Sequence, residues 1–286
     1  MTLQVPATET PRPAEGLLDR RAAHLFDLSG HSIVVTGAAG GLGYQMAAAV
    51  ASNGAHVTMI DIDADRLDVS VRGFRATGLS AYAVPLDVTN TAALERAIVD
   101  VGIRFGRLDA VFANAGISAG PGFGAGSDRT VGSLQSVDQE RWDRVIAVNL
   151  TSVMQTVRFS AAQMAQQRTG RIVVTASIAG LRAEPFVNYA YAVAKAGVVN
   201  LVRQAAVELA PSRISVNAIA PGFVHTDIGG GRLNDAAVRD RLASQIPMAR
   251  VGRADEVCGL ALHLASPACS YMTGVTIPFD GGLTAC

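Results

Sequence analysis

Short apolar runs alternate with longer amphipathic stretches along most of the chain. Ser32–Thr36, Ala55–Ile60, Ala81–Leu86, Leu108–Ala113, Arg171–Ala176, Arg213–Ile219 and Val275–Pro278 are compact apolar runs and read as buried strands. Between them, Gly43–Ser52, Asp65–Thr77, Thr91–Phe105, Gln139–Gln167, Val187–Leu209 and Asp255–Ala265 carry helical patterns. Strands alternating with helices of this length predict βαβ units and a parallel sheet. Right-handed crossovers then put helices on both faces. The expected fold class is α/β, a single Rossmann-type doubly wound sheet of about seven strands.

Residues 26–286 read as one domain, and residues 1–25 as an N-terminal extension. Pro6, Pro11 and Pro13 make that extension partly disordered, with a short helix expected over Leu17–Phe26. Two segments resist the periodic reading. The glycine- and serine-rich stretch Ile117–Ser136 reads as a flexible flap over the substrate or a surface excursion, the latter preferred. Residues 221–246 read as a loop with some helix beside the substrate.

Composition narrows the functions. The chain carries 24 basic and 24 acidic residues, so no surplus charge invites nucleic acid or an anionic membrane. No apolar run approaches the ~18 residues that a membrane span needs, and no signal-peptide pattern opens the chain. Three scattered cysteines fit a reducing, cytoplasmic setting. The five histidines have no metal-ligand spacing, so no catalytic metal is expected. One count is sharper: 23 of the 24 basic residues are arginine, and Lys195 is the single lysine. A lone lysine points to a place where a guanidinium will not serve.

The first strand runs into Thr36-Gly37-Ala38-Ala39-Gly40-Gly41-Leu42-Gly43. Glycines between a strand and a helix let the backbone approach a pyrophosphate, with the helix N-terminus facing it. Asp61 ends the next strand, where a carboxylate takes the ribose hydroxyls of NAD and repels a 2′-phosphate. Ile62 follows rather than arginine, and no basic residue lies between Gly37 and Gly43. NAD is therefore expected, ahead of NADP.

Tyr191 and Lys195 stand four apart in a helical pattern and share a face. A phenol titrates near ~10, and an ammonium beside it favours the phenolate. Ser177 follows the fifth strand, placed to hold a substrate oxygen. Asn149 is an amide among apolar neighbours, and needs partners: a water chain to Lys195 or a backbone group. Leu181, Phe186, Phe223, Ile228 and Leu233 suggest an apolar pocket, with Ser177, Tyr191, Phe186 and Phe223 as substrate contacts. Glu184, Asn188, His225 and Arg232 could add polar contacts, though each reads first as a surface residue.

Taken in order, these residues resemble the short-chain dehydrogenase/reductase family over residues 26–286. Thr36 to Gly43, with Gly37, Gly40, Gly41, Leu42 and Gly43, resembles its cofactor motif. Asp87-Val88 resembles the acid that meets the adenine, and Asn114-Ala115-Gly116 the motif after strand four. Asn149, Ser177, Tyr191 and Lys195 match the catalytic tetrad. Pro221-Gly222, with Val224 and Thr226, resembles the segment holding the nicotinamide amide, and Asp280-Gly281-Gly282 the C-terminal turn. The resemblance implies strand order 3-2-1-4-5-6-7 and a homotetramer or dimer. It implies hydride transfer between NAD and a secondary alcohol or ketone, with Tyr191 as general acid/base. Two alternatives stay open: an NADPH-dependent carbonyl or 3-oxoacyl-thioester reductase, and a non-catalytic NAD-binding regulator.

Overall fold

The computed structural model describes residues 22–125, 129–229 and 231–286. The expected N-terminal extension lies outside these residues except for the turn α1 (Ala22–Leu25). The chain then forms β1 (Ser32–Thr36), α2 (Gly41–Ala51), β2 (His56–Asp61), α3 (Ala64–Ala76), β3 (Ala81–Pro85), α4 (Thr91–Phe105) and β4 (Ala110–Ala113). After a long loop come α5 (Gln139–Ile146), a wide π turn over Ala147–Thr151, α6 (Ser152–Gln167), β5 (Gly170–Thr175), α7 (Tyr189–Leu209) and β6 (Ile214–Pro221). The remainder holds β7 (Val224–His225), α8 (Ala236–Ala243), β8 (Gly252–Arg253), α9 (Cys258–Ala265) and β9 (Thr276–Phe279).

Seven strands form one sheet in the order β3-β2-β1-β4-β5-β6-β9. Every pairing in it is parallel. Counting only strands of this sheet, that is the expected 3-2-1-4-5-6-7. Successive side chains of a strand point to opposite faces, and here both faces are covered. Val34, Val111, Ile172 and Val174 pack towards α4, α6 and α7. Ile33, Val35, Phe112 and Val173 pack towards α2, α3 and α9. This double burial explains why the strands read as continuous apolar runs rather than alternating ones. Side-chain oxygens of Asp63, Asn90, Asp138, Asn188 and Asp235 accept from the first turns of α3, α4, α5, α7 and α8, which sets where those helices begin.

Three expectations need correction. The helix expected over Gln139–Gln167 is interrupted by the π turn, because the chain gains a residue at Ala147–Thr151 without breaking the axis. Asp255–Ala265 starts as a 3₁₀ turn over Ala254–Val257 before α9. The parallel pair β7–β8 was not expected at all: strands of two residues carry no period to read.

The far edge of the sheet is tied by Asn217, which is 1 % exposed on β6. Its Nδ2 donates to Met272 O at 2.9 Å, and its Oδ1 accepts from Val275 N at 3.2 Å. Together these fix the loop that delivers β9. Replacing Asn217 with Ala strands a buried carbonyl and N–H, and should lower stability by about 1–3 kcal/mol. A thermal melt of the Asn217→Ala variant checks this; an unchanged midpoint would remove the tie from the account.

Candidate active site

Strands β1, β2, β4, β5 and β6 all end on one edge of the sheet. The order reverses between β1 and β4, so their crossovers leave on opposite faces and open a crevice there. A cavity of about 840 Å³ fills that crevice. Gly37, Gly40, Gly41 and Leu42 form one end of its wall. Gly37 has a positive φ of 65°, and a Cβ there would stand 2.9 Å from Ala115 Cα. Gly43 is not on the wall, contrary to its expected contact with a ligand. It lies beneath, where a Cβ would run into the Gly37 carbonyl oxygen. Its part is to let α2 pack close under the turn.

A hydrogen-bonded chain joins this turn to the opposite end of the cavity. Thr36 Oγ1 accepts from Asn114 N and Ala115 N, each at 3.0 Å. Asn114 Nδ2 donates to Thr36 O at 3.1 Å and Gly37 O at 3.2 Å. Thr175 Oγ1 donates to Asn114 Oδ1 at 2.9 Å. Lys195 Nζ then donates to Thr175 O at 2.6 Å. Asn114, Ala115 and Gly116 all line the cavity, as expected. Thr175 was missed, its sequence signal no more than a threonine closing an apolar strand, and Thr36 was read only as the head of the glycine motif.

Asp61 is the last residue of β2 and lines the cavity with Ile62. Its Oδ2 accepts from Ala39 N at 2.9 Å, and its Oδ1 from Asp63 N at 3.1 Å. The carboxylate is thus locked to the glycine turn. Asp87 Oδ1 accepts from Thr89 N and Thr89 Oγ1, and Asp87 and Val88 form the neighbouring wall. The sequence seemed to lack a cation here, and the fold supplies one. The Arg66 guanidinium lies over Gly40 and pairs with Asp227 at 2.7 Å. Four residues after Ile62, on the first turn of α3, it was outside the window in which an arginine was sought.

Tyr191 and Lys195 lie one turn apart on α7, both on the cavity wall. Lys195 is 2 % exposed, its Nζ 5.7 Å from the centre of the Tyr191 ring. Burial pulls the Lys195 ammonium down to about 8. Burial also raises the Tyr191 phenol, and a hydrogen bond with Ser177 partly offsets the rise. In the protein alone the phenol therefore stands above its ordinary value, where the lysine neighbour led to the expectation of a lowered one. Ser177 is buried, its Oγ also accepting from Ala179 N. Asn149 is fully buried on the π turn. Its Oδ1 accepts from Ile117 N and its Nδ2 donates to Ile117 O, both at 2.8 Å. Of the two partners left open for it, the structure has the backbone group. That pairing anchors the start of the long loop behind Gly116.

Pro221 and Gly222 continue the wall from β6, with Val224 and Thr226 beyond them. Gly222 N donates to Phe279 O, and Asp280 accepts from Gly282 N and Thr284 N, so the C-terminal turn braces this segment. Phe186 and Phe223 meet edge to face at 6.2 Å in the remaining part, where Ile228 and Leu233 also lie. Leu181 does not join them; it is 37 % exposed and off the wall. His225 is exposed and bonds Asn234, and Asn188 caps α7. Glu184, read as a surface residue, is instead 6 % exposed and lines the cavity. The loop from Ile117 is not an excursion either. Pro121 bridges to Val187, Gly122 N and Gly124 N donate to Phe186 O and Pro185 O, and Ser118, Ala119 and Val131 face the cavity. Glycine lets it lie flat on the 185–187 segment, a contact that no local pattern could announce.

The cavity's shape and chemistry suit a dinucleotide: a turn too close for side chains at one end, a carboxylate at the next, and a buried cation at the other. Comparison with known proteins agrees. A family model described as enoyl-(acyl carrier protein) reductase matches residues 37–284. A 3-oxoacyl-[acyl-carrier-protein] reductase of Thermotoga maritima is 36% identical over 258 residues, covering 90% of this chain and 98% of that protein. A cyclohexanol dehydrogenase of Rhodococcus sp. (strain TK6) is 35% identical over 273 residues, covering 90% and 97%. Among solved structures, a short-chain type dehydrogenase/reductase from Mycobacterium marinum has a TM-score of 0.84 at 33% identity, covering 93% of this chain and 100% of that one. A gluconate 5-dehydrogenase from Burkholderia cenocepacia, in complex with NADP and tartrate, has the same TM-score at 30% identity, covering 93% and 100%. Fold and site define an oxidoreductase that uses a nicotinamide cofactor. The chain belongs to the short-chain dehydrogenase/reductase family.

The glycine turn gives a direct test. Gly43→Ala forces α2 away from the Gly37 carbonyl and distorts the turn. Dinucleotide affinity by fluorescence titration should fall at least about tenfold, and stability by about 1–3 kcal/mol. Unchanged affinity would mean that the turn does not set cofactor binding.

Proposed function

We propose that the chain is an NAD-dependent dehydrogenase that interconverts a secondary alcohol and its ketone. The observation carrying this reading is the side-by-side Tyr191 and Lys195 on one face of α7, joined through Thr175 and Asn114 to the glycine turn. Gly37, Gly40, Gly41 and Leu42 would hold the pyrophosphate, with Gly43 supporting them from below. Asp61 and Ile62 would meet the adenosine ribose, and Asp87 and Val88 the adenine. Asn114, Ala115 and Gly116 would back the cofactor, and Pro221, Gly222, Val224 and Thr226 would hold its amide end.

A bound nicotinamide cofactor would supply the hydride acceptor for oxidation. In oxidation the Tyr191 phenolate takes the hydroxyl proton of the alcohol while Ser177 holds the same oxygen. The carbinol C–H bond breaks as the carbonyl forms, and its electron pair leaves with the hydride. Lys195, as the ammonium, favours the phenolate electrostatically and holds ribose hydroxyls. Asn149 keeps the Ile117 backbone in place beside them. Reduction reverses these steps, Tyr191 giving its proton to the ketone oxygen. Phe186 and Phe223 would contact the carbon skeleton, in a pocket suited to a small, mostly apolar alcohol, cyclic or aromatic. The cyclohexanol dehydrogenase similarity supports that size.

NAD is favoured because a 2′-phosphate would meet the Asp61 carboxylate, which its bonds to Ala39 N and Asp63 N hold in place. Two observations favour a second reading, an NADPH-dependent reductase of carbonyls or 3-oxoacyl thioesters. Arg66 lies over Gly40, and the relatives include a 3-oxoacyl reductase. The pairing of Arg66 with Asp227 already neutralises that cation, which is why NAD ranks first.

Tyr191→Phe should lower kcat by more than about 10³-fold while NAD(H) still binds, since it deletes the proton-transfer group. In the unaltered enzyme oxidation should speed up with rising pH and reduction slow down, because oxidation needs the phenolate and reduction the phenol. Turnover retained in the Phe variant, or profiles running in the same direction, would refute the role. The ratio of kcat/KM for NAD over NADP should exceed about 10; a ratio below one would hand the site to the NADP reading.

A further inference from the structure

The substrate half of the cavity is lined by Phe186, Phe223, Ile228 and Leu233 with Arg144 and Arg241 among them, and one buried acid, Glu184, also lines it. Glu184 precedes Pro185 in the segment leading to α7, and its side chain is 3 % exposed. A carboxylate accepts at about four positions. Among the described residues two long contacts reach it: Arg182 Nη2 at 3.5 Å, and Phe186 N, which donates to Oε1 at 3.4 Å. Arg182 itself is drawn towards the chain's end, its Nη1 donating to Leu283 O at 2.8 Å. A buried carboxylate so weakly served is costly unless another donor completes it. The aromatic pair Phe186 and Phe223 and the aliphatic Leu233 supply no donor from the same wall, and the wall's Arg241 is turned to the Phe186 ring and to Gly124 O.

We infer that Glu184 is a specificity residue that accepts a hydrogen bond from a second hydroxyl of the substrate, so that the preferred substrates are dihydroxylated rather than simple alcohols. The inference rests on the alcohol reading of the site and names which alcohols it takes. Arg182 leaves the pair close to neutral, which suits a neutral hydroxyl better than an ammonium. The oxygen that reacts stays with Tyr191 and Ser177; the second hydroxyl, elsewhere on the skeleton, turns towards Glu184. A simple alcohol leaves the carboxylate unserved, and such a site discriminates strongly against analogues that lack the hydroxyl.

The test compares cyclohexanol with its 1,2-, 1,3- and 1,4-diols, as kcat/KM with saturating NAD. At least one diol should exceed cyclohexanol by about tenfold or more in the unaltered enzyme. Glu184→Leu should cut the rate constant for that diol by about 10- to 100-fold. Cyclohexanol should change less than about threefold, or improve as the wall becomes apolar. Glu184→Gln keeps an acceptor but loses the charge, and should fall between the two. Should the Leu variant fail to fold, the Gln variant carries the comparison. A general loosening of the segment would slow both kinds of substrate alike, so an equal loss overturns the inference, as does no loss at all. A diol advantage that survives in both variants also overturns it. If the unaltered enzyme oxidises none of these alcohols but reduces a 3-oxoacyl thioester, the alcohol reading itself fails and takes this inference with it.

Discussion

Among the described residues a cation is buried without a carboxylate to match it, and much of the site is arranged around that fact. Lys195 is almost wholly enclosed, and burial alone brings its ammonium to about 8. Its one fixed partner is the Thr175 carbonyl. An ammonium is a compact charge that one carbonyl and a polar cavity are able to serve. A guanidinium would bring five donors and a wider plane into the same space. That is a physical reason why a chain with 23 arginines keeps its single lysine here. Because Thr175 also holds Asn114, and Asn114 holds the glycine turn, the cation and the turn are parts of one rigid unit rather than two neighbouring features.

The same unit explains how a sheet edge becomes a selective cavity. Strand ends provide the fixed parts: Thr36, Asp61, Ala113, Thr175 and Pro221 all finish on one side. Loops provide the variable parts, and they are tied to each other as well as to the sheet. Arg241 on α8 donates to Gly124 O and stacks over Phe186, so the substrate segment, the long loop and the segment before α7 share one side chain. Substrate choice therefore rests on contacts among three loops, while the proposed chemistry rests on α7 and the strand ends.

What was legible in the sequence follows that division. Strands buried on both faces announce themselves as apolar runs, and their order followed from the family resemblance once the motifs were in register. All the expected cofactor and tetrad residues lie on the cavity wall except Gly43 and Asn149, which stand just behind it. The misses have a common physical character: each depends on where a chain segment lands rather than on what it contains. Glu184 was read as exposed because a lone acid beside a proline usually is. In the fold it is buried, in a segment whose residues 185–187 pair with the Ile117 loop. Arg66 reaches Gly40 because α3 begins under the glycine turn. The raised phenol of Tyr191 comes from the depth of its surroundings, which spacing along a helix cannot convey.

The wide turn at Ala147–Thr151 has a consequence for how the chain tolerates change in length. It holds one residue more than a regular helix of equal rise, and each helical residue turns the backbone by about 100°. The face that α5 offers is thereby offset from that of α6, and Asn149 sits at the offset. Deleting one residue in this stretch would leave a more regular helix and swing the amide off Ile117, freeing the root of the long loop. Local regularity and a working site are in conflict at that point, and the chain has settled it in favour of the site.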